Sequence, residues 1–148
     1  MSGRGVLLGR GILPGLLLVV GCAGTNGDRP AGEMVGDEVA ASVGASVGAD
    51  SVLLRLHVTN TTDGSLSFTF PSSQRYDFRV ADSSGESVWQ WSAARSFAQV
   101  IAEVTLAPGE TWEFDAAWRP ESPGQYTATG WITDRAGVIR QSATFEVQ

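Results

Sequence analysis

An all-β chain of antiparallel strands is predicted by three observations. A two-residue hydrophobic alternation recurs in segment after segment, Gly- and Pro-bearing turns separate those segments, and no 3.6-residue helical period is sustained. The 148 residues, 43% hydrophobic and 18% charged, suit about one domain.

The alternation can be followed in chain order. Val39, Ala41, Val43, Ala45 and Val47 alternate with small or polar residues, and Val52, Leu54, Leu56 and Val58 alternate with Leu53, Arg55, His57 and Thr59. Leu66, Phe68 and Phe70 follow, then Tyr76, Phe78 and Val80, then Trp89 and Trp91 about Gln90. Val100, Ala102, Val104 and Leu106 form the next stripe, and Trp112, Phe114, Ala116 and Trp118 the one after. Tyr126, Ala128, Gly130 and Ile132, then Ala143, Phe145 and Val147, complete the set. Successive side chains on a strand point to opposite faces, so each segment offers one face to a core and one to water.

Asp63-Gly64, Ser84-Gly85, Pro108-Gly109, Pro123-Gly124 and Ala136-Gly137 supply the turns between them. Only Ser92 to Gln99 offers a short helix or 3₁₀ turn. Many short strands with regular turns predict an immunoglobulin-like antiparallel β-sandwich of about seven to nine strands, a closed barrel being the alternative.

Composition narrows function. All ten basic residues are Arg, sixteen residues are acidic and the formal net charge is -6, so no cationic surface is expected to neutralise a nucleic-acid backbone. One Cys excludes an internal disulfide or a thiolate cluster, and one His leaves too little imidazole for common zinc or triad sites. No cofactor or metal is expected. His57 lies among outward positions with no sequence neighbour to hold it as a base, and Glu113 and Asp115 share an outer strand face, where solvated charge is the expected state.

The N-terminus reads differently. Arg4 and Arg10 precede the apolar run from Ile12 to Val20, which has the form of a secretory signal and is too short for the about 20 apolar residues that a spanning helix needs. The run ends Val19-Val20-Gly21-Cys22, which resembles a bacterial lipobox. That resemblance implies residues 1–21 as a lipoprotein signal peptide, removed to leave Cys22 carrying a thioether-linked lipid. Two or more acyl chains anchor stably where one does not. Ala23 after the Cys resembles the pattern sorted to the outer membrane in a cell with two. Loss of the leader removes Arg4 and Arg10, leaving eight basic against sixteen acidic residues, a formal charge of about -8. Residues 22–36, rich in Gly, Ala and polar side chains, are expected to be a flexible tether, with the folded unit at 37–148.

Within that unit, LRLHVTNTTDGSLSFTF, FPSSQRYDF, a D-x-x-G turn leading into VWQWS, Phe97, and the PGE and PGQY turns occur in sequence. Their joined spacing, over about 39–148, resembles the bacterial BsuPI intracellular proteinase inhibitor family. The resemblance implies an immunoglobulin-like sandwich and a non-catalytic inhibitor or binding role, with a subtilisin-type serine protease as the namesake target. A lipid-anchored, exported copy would meet its protein partner at the cell envelope. A scaffold or assembly lipoprotein without inhibitory activity is the alternative. A third reading, a hydrolase or carbohydrate-binding module using Trp131, ranks last.

Candidate partner-binding residues follow from the loops. Gln74, Arg75 and Asp77 form a polar cluster after Pro71, facing away from the Tyr76-Phe78 stripe, where Gln74 and Asp77 could instead hold the loop and leave Arg75 free. Trp91 and Arg95, with Ser92 and Phe97, surround the irregular connection and are residue types enriched in interface hot spots. Most aromatic residues are expected in the core, and Tyr126 after Pro123-Gly124 fits the tyrosine corner of sandwich domains.

Overall fold

A computed structural model describes the backbone of residues 33–35 and the whole of residues 38–148. Among the described residues ten strands run in order: β1 (Glu33–Val35), β2 (Val39–Val47), β3 (Val52–Asn60), β4 (Leu66–Phe70), β5 (Tyr76–Asp82), β6 (Ser87–Gln90), β7 (Ala102–Leu106), β8 (Thr111–Trp118), β9 (Gly124–Ile132) and β10 (Arg140–Val147). A 3₁₀ turn, Trp91–Ala94, follows β6. One sheet has the order β1-β2-β3-β8, the facing sheet β10-β9-β5-β6, and β4 pairs with β7 in a two-stranded ribbon. Every pairing is antiparallel. The fold is therefore the expected immunoglobulin-like β-sandwich.

The alternation becomes two inner faces. Val52, Leu54, Leu56 and Val58 of β3 are fully buried against Phe78 and Val80 of β5 and Ala128 and Ile132 of β9, with Val43 of β2 and Ala116 and Trp118 of β8 closing the same core. Burying such side chains stabilises the fold by about 1.5–3 kcal/mol each. Gly130 lies between its cross-strand partner Phe78 and Val43 of the facing sheet. A Cβ there would lie 2.8 Å from Val43 Cγ2 and 2.9 Å from Phe78 Cε1, so the missing side chain is what lets these two pack.

Turns fix the strand ends. Between β7 and β8, Glu110 N donates to Ala107 O at 3.0 Å across Pro108-Gly109, and Gly109 has φ of 72°, the positive value that a type II turn requires at its third residue. Asn60, fully buried at the end of β3, donates through Nδ2 to Gly64 O (2.7 Å) and Leu106 O (3.0 Å), and its Oδ1 accepts from Thr62 N (2.9 Å). It thereby joins the β3–β4 turn to β7. Tyr126 donates its hydroxyl proton to Ser122 O at 2.7 Å, forming the expected corner.

Three expectations need correction. Glu33–Val35, inside the stretch read as tether, pairs with Val39–Ala41 as β1, because an edge strand can be held by main-chain bonds without an apolar pattern of its own. Val100 does not belong to a strand; β7 starts at Ala102, and Val100 is 60% exposed. Trp91 opens the 3₁₀ turn rather than ending a strand. Cys22 and the leader lie outside the described residues.

Candidate functional site

The sequence-selected residues Gln74, Arg75, Asp77, Trp91 and Arg95 come together where β5 begins and β6 ends. Antiparallel pairing of Arg79 with Gln90 places the 3₁₀ turn beside the first residues of β5, so two distant segments form one surface.

Asp77 organises it. Its Oδ1 accepts from Phe78 N (2.9 Å) and Ser92 N (3.1 Å), and its Oδ2 accepts from Ser92 Oγ (2.6 Å) and Gln90 Nε2 (2.7 Å). Gln90 Nε2 also donates to Ser92 Oγ at 3.1 Å. Both carboxyl oxygens thereby have hydrogen-bond partners within the protein, as a buried polar group requires. At 3% exposure Asp77 cannot touch a partner. This corrects its place among the contact residues: it lies in β5, the 3₁₀ turn covers it, and it positions that turn.

Arg75 is not free. Its Nη1 donates to Ser72 O (2.8 Å) and its guanidinium lies over the Phe70 ring, 4.7 Å from the centroid. Gln74 donates through Nε2 to Tyr76 O (3.0 Å) and accepts at its own carbonyl from Thr133 Oγ1 (2.8 Å). Both residues therefore hold the 71–75 loop, as short polar bridges do in turns. Trp91 and Arg95 remain the outward pair. Arg95 is exposed, and its guanidinium stands 4.3 Å from the centroid of the half-buried Trp91 ring.

Behind that pair runs a stack of rings. Tyr76 lies between Trp91 (4.3 Å, 29°) and Phe114 (4.7 Å, 23°), Phe97 touches Trp91 at 5.8 Å, and Trp112 joins Phe114 to Phe68. The Tyr76 hydroxyl donates to Asp115 O at 3.2 Å, tying β5 to β8. Burial raises the Tyr76 phenol above its ordinary value, the Arg95 charge opposing the rise and the Asp115 charge adding to it. The phenol thus stays protonated and remains a donor at neutral pH. Stacking of this kind contributes about 0.5–1.5 kcal/mol per pair beyond the area buried.

Elsewhere the chemistry is sparse. His57 Nε2 lies 3.4 Å from Glu113 Oε2, and Arg55 Nε 3.2 Å from Asp115 Oδ1, as half-exposed cross-strand pairs on the outer face of β3 and β8. Such pairs contribute little in water. The alternation placed His57 outward but did not reveal its cross-strand partner Glu113. Trp131 is half-buried beneath Arg140, 4.4 Å from its centroid, rather than an open platform. Among the described residues, no group of three or more His, Cys, Asp or Glu is placed to hold a metal ion, and no helix is long and apolar enough to cross a membrane.

Comparison with known proteins adds a family and a fold. No curated protein matches the chain. Among solved structures, a penta-heme cytochrome c552 from Thermochromatium tepidum is 9% identical, with a TM-score of 0.52 over 75% of this chain; the chain spans 40% of that protein. At that identity the likeness is one of fold alone. The CARDB domain of a Pyrococcus furiosus protein, solved with di-metal ions, is 18% identical over 74% of this chain and 92% of that one, with a TM-score of 0.43. The yjhA protein from Bacillus subtilis is 13% identical over 75% and 92%, with a TM-score of 0.40. Residues 39–137 match BsuPI, described as "Intracellular proteinase inhibitor". That match runs from the first residue of β2 past the end of β9, through the Asp77-braced turn and its ring stack, so this chain belongs to the BsuPI intracellular proteinase inhibitor family.

Proposed function

We propose that the chain is a lipid-anchored, exported bacterial protein whose domain recognises another protein, a proteinase, without catalysing a reaction. The observation that carries the recognition part is the outward Trp91–Arg95 pair on a turn braced by the buried Asp77 carboxylate. Trp and Arg dominate interface hot spots, and a contact held in place beforehand loses little entropy on binding. Membership of an inhibitor family makes a proteinase the favoured partner. The anchor is supported by the sequence alone: a short apolar leader ending in Gly21-Cys22, with Ala23 favouring the outer membrane where the cell has one.

Titrating the purified full chain against a panel of subtilisin-type serine proteases tests the recognition. The expected result is loss of protease activity that saturates near equal amounts; full residual activity at large molar excess removes the inhibitor reading. Cys22→Ala is expected to leave the leader uncut and to incorporate no labelled fatty acid.

One observation favours a second reading, a scaffold lipoprotein. Among the described residues, β1 accompanies β2 only over Val39–Ala41, and beyond it the β2 edge borders a cleft of about 610 Å³ reaching Ala143–Glu146 of β10. An open edge of this kind can accept a strand from another protein. Partner capture that survives loss of Trp91 and Arg95 but not a Val47→Pro block of that edge, where the main-chain N–H faces away from β3, would favour the scaffold.

A further inference from the structure

Between β4 and β7 the ladder ends at the pair Phe70–Ala102. Pro71 follows Phe70, and its ring fixes φ near about -65°, away from the extended value that an antiparallel ladder needs. The two chains meet again at Ser73 and Ala98, where Ser73 N donates to Ala98 O (2.9 Å) and Ala98 N donates to Ser73 Oγ (2.9 Å). Between these clamps two residues, Pro71 and Ser72, oppose three, Gln99, Val100 and Ile101. The surplus residue has to bow outward, as in a β-bulge. Val100 N donates back to Ala98 O (2.9 Å), closing a tight three-residue turn at the base of the bow.

The bow carries two adjacent large apolar side chains in water: Val100 is 60% exposed and Ile101 62%. Scattered exposed apolar residues are ordinary, but two neighbours on a doubly clamped protrusion form a defined apolar tip. Both are β-branched, which stiffens the backbone and limits side-chain rotation. Phe97, one residue before the Ala98 clamp, packs on Trp91, so the bow is joined to the Trp91–Arg95 surface. A convex, pre-shaped, apolar segment is what a peptide-binding cleft with an apolar side-chain pocket accepts at low entropic cost.

We propose that Gln99–Ile101 is the segment this chain inserts into the substrate cleft of its partner proteinase, with Val100 and Ile101 filling an apolar pocket there. The assignment rests on reading the chain as a proteinase-binding domain. It extends that reading from the Trp91–Arg95 surface to the part that would occupy the cleft.

The test compares inhibition constants of the full chain and its variants against a subtilisin-type protease that the unaltered chain inhibits. Val100→Asp and Ile101→Asp are each expected to weaken inhibition by at least about thirtyfold, the size of a hot-spot loss. Ser73→Ala, which removes the acceptor for Ala98 N, is expected to weaken it about fivefold. Val138→Asp, at an equally exposed apolar position (64%) in the β9–β10 connection, is expected to change nothing. All four positions are exposed, so unchanged circular dichroism is the expected check on folding. Inhibition unaltered by both bow substitutions overturns the assignment while leaving the inhibitor reading intact. An equal loss with Val138→Asp also overturns it, because any exposed apolar residue would then serve. Failure of the unaltered chain to inhibit any protease of the panel overturns both.

Discussion

The two lateral sides of the sandwich are closed in opposite ways. On the side where β8 faces β5 and β6, rings fill the gap: Trp112, Phe114, Tyr76 and Trp91 lie one against the next, and Tyr76 adds a hydrogen bond to the β8 main chain. On the side where β2 lies beside β10, the inward residues near the rim include Ala45 and Ala143, and a cleft remains. One rule of alternation set both sides. The difference lies in side-chain size at the level of Ala45 and Ala143, where an alanine cannot bridge two sheets about 10 Å apart as an aromatic can, while Phe145, which also lines the cleft, packs back on Tyr126. The candidate recognition surface is built on the closed side, where a rigid backing already exists.

The comparison breaks most visibly at Asp77. Asp77→Ala leaves the half-buried donors of Gln90 and Ser92 without their acceptor, and urea denaturation should show a loss of about 3 kcal/mol. A loss under about 1 kcal/mol would mean that the closed side does not depend on its carboxylate. Tyr76→Leu removes two stacked contacts and the bond to β8, with an expected loss of about 2 kcal/mol in the same measurement. Ala143→Val on the open side faces room rather than packed rings, so a change within about 0.5 kcal/mol is expected. A large change there would show that side to be tightly packed too.

The smallest effect is electrostatic. In the β5–β6 turn, the Ser84 hydroxyl and the main-chain N–H groups of Ser84 and Glu86 donate to Asp82 Oδ1 and hold its carboxyl below the ordinary carboxylate value. Its small stabilising contribution is present above the unfolded-state value and fades as pH falls through the lowered native one. Carbon NMR titration of the Asp82 carboxyl should place its midpoint below that of an unstructured Asp; a midpoint at or above it would contradict the turn geometry.

Local pattern made much of this legible. Apart from β1, the strands of the two main sheets follow the alternation, and Pro108-Gly109 and Pro123-Gly124 mark turns because φ preferences act residue by residue. The sequence also selected the Trp91–Arg95 region as irregular. What it hid depends on partners far along the chain. Val100 continues the apolar alternation of β7, yet its strand stops because Pro71, 29 positions earlier, ends the ladder on the opposite side. Asp77 occupies an outward position by alternation, but β5 is central in its sheet, with Asp77 paired to Trp131 on one side and roofed by Ser92 on the other. Arg75 looked unengaged because Phe70, which it covers, comes five residues earlier across a turn. Ile139, fully buried, lies just before β10 and outside any alternating run.

The carboxylate beneath the 3₁₀ turn also bears on the tempo of association. Shifting that turn would mean breaking several hydrogen bonds at once, so under the proposed reading a visitor meets a finished surface and no slow isomerisation is expected after encounter. In stopped-flow mixing, the observed rate should climb in proportion to the visitor's concentration without levelling off, set by collision and orientation alone.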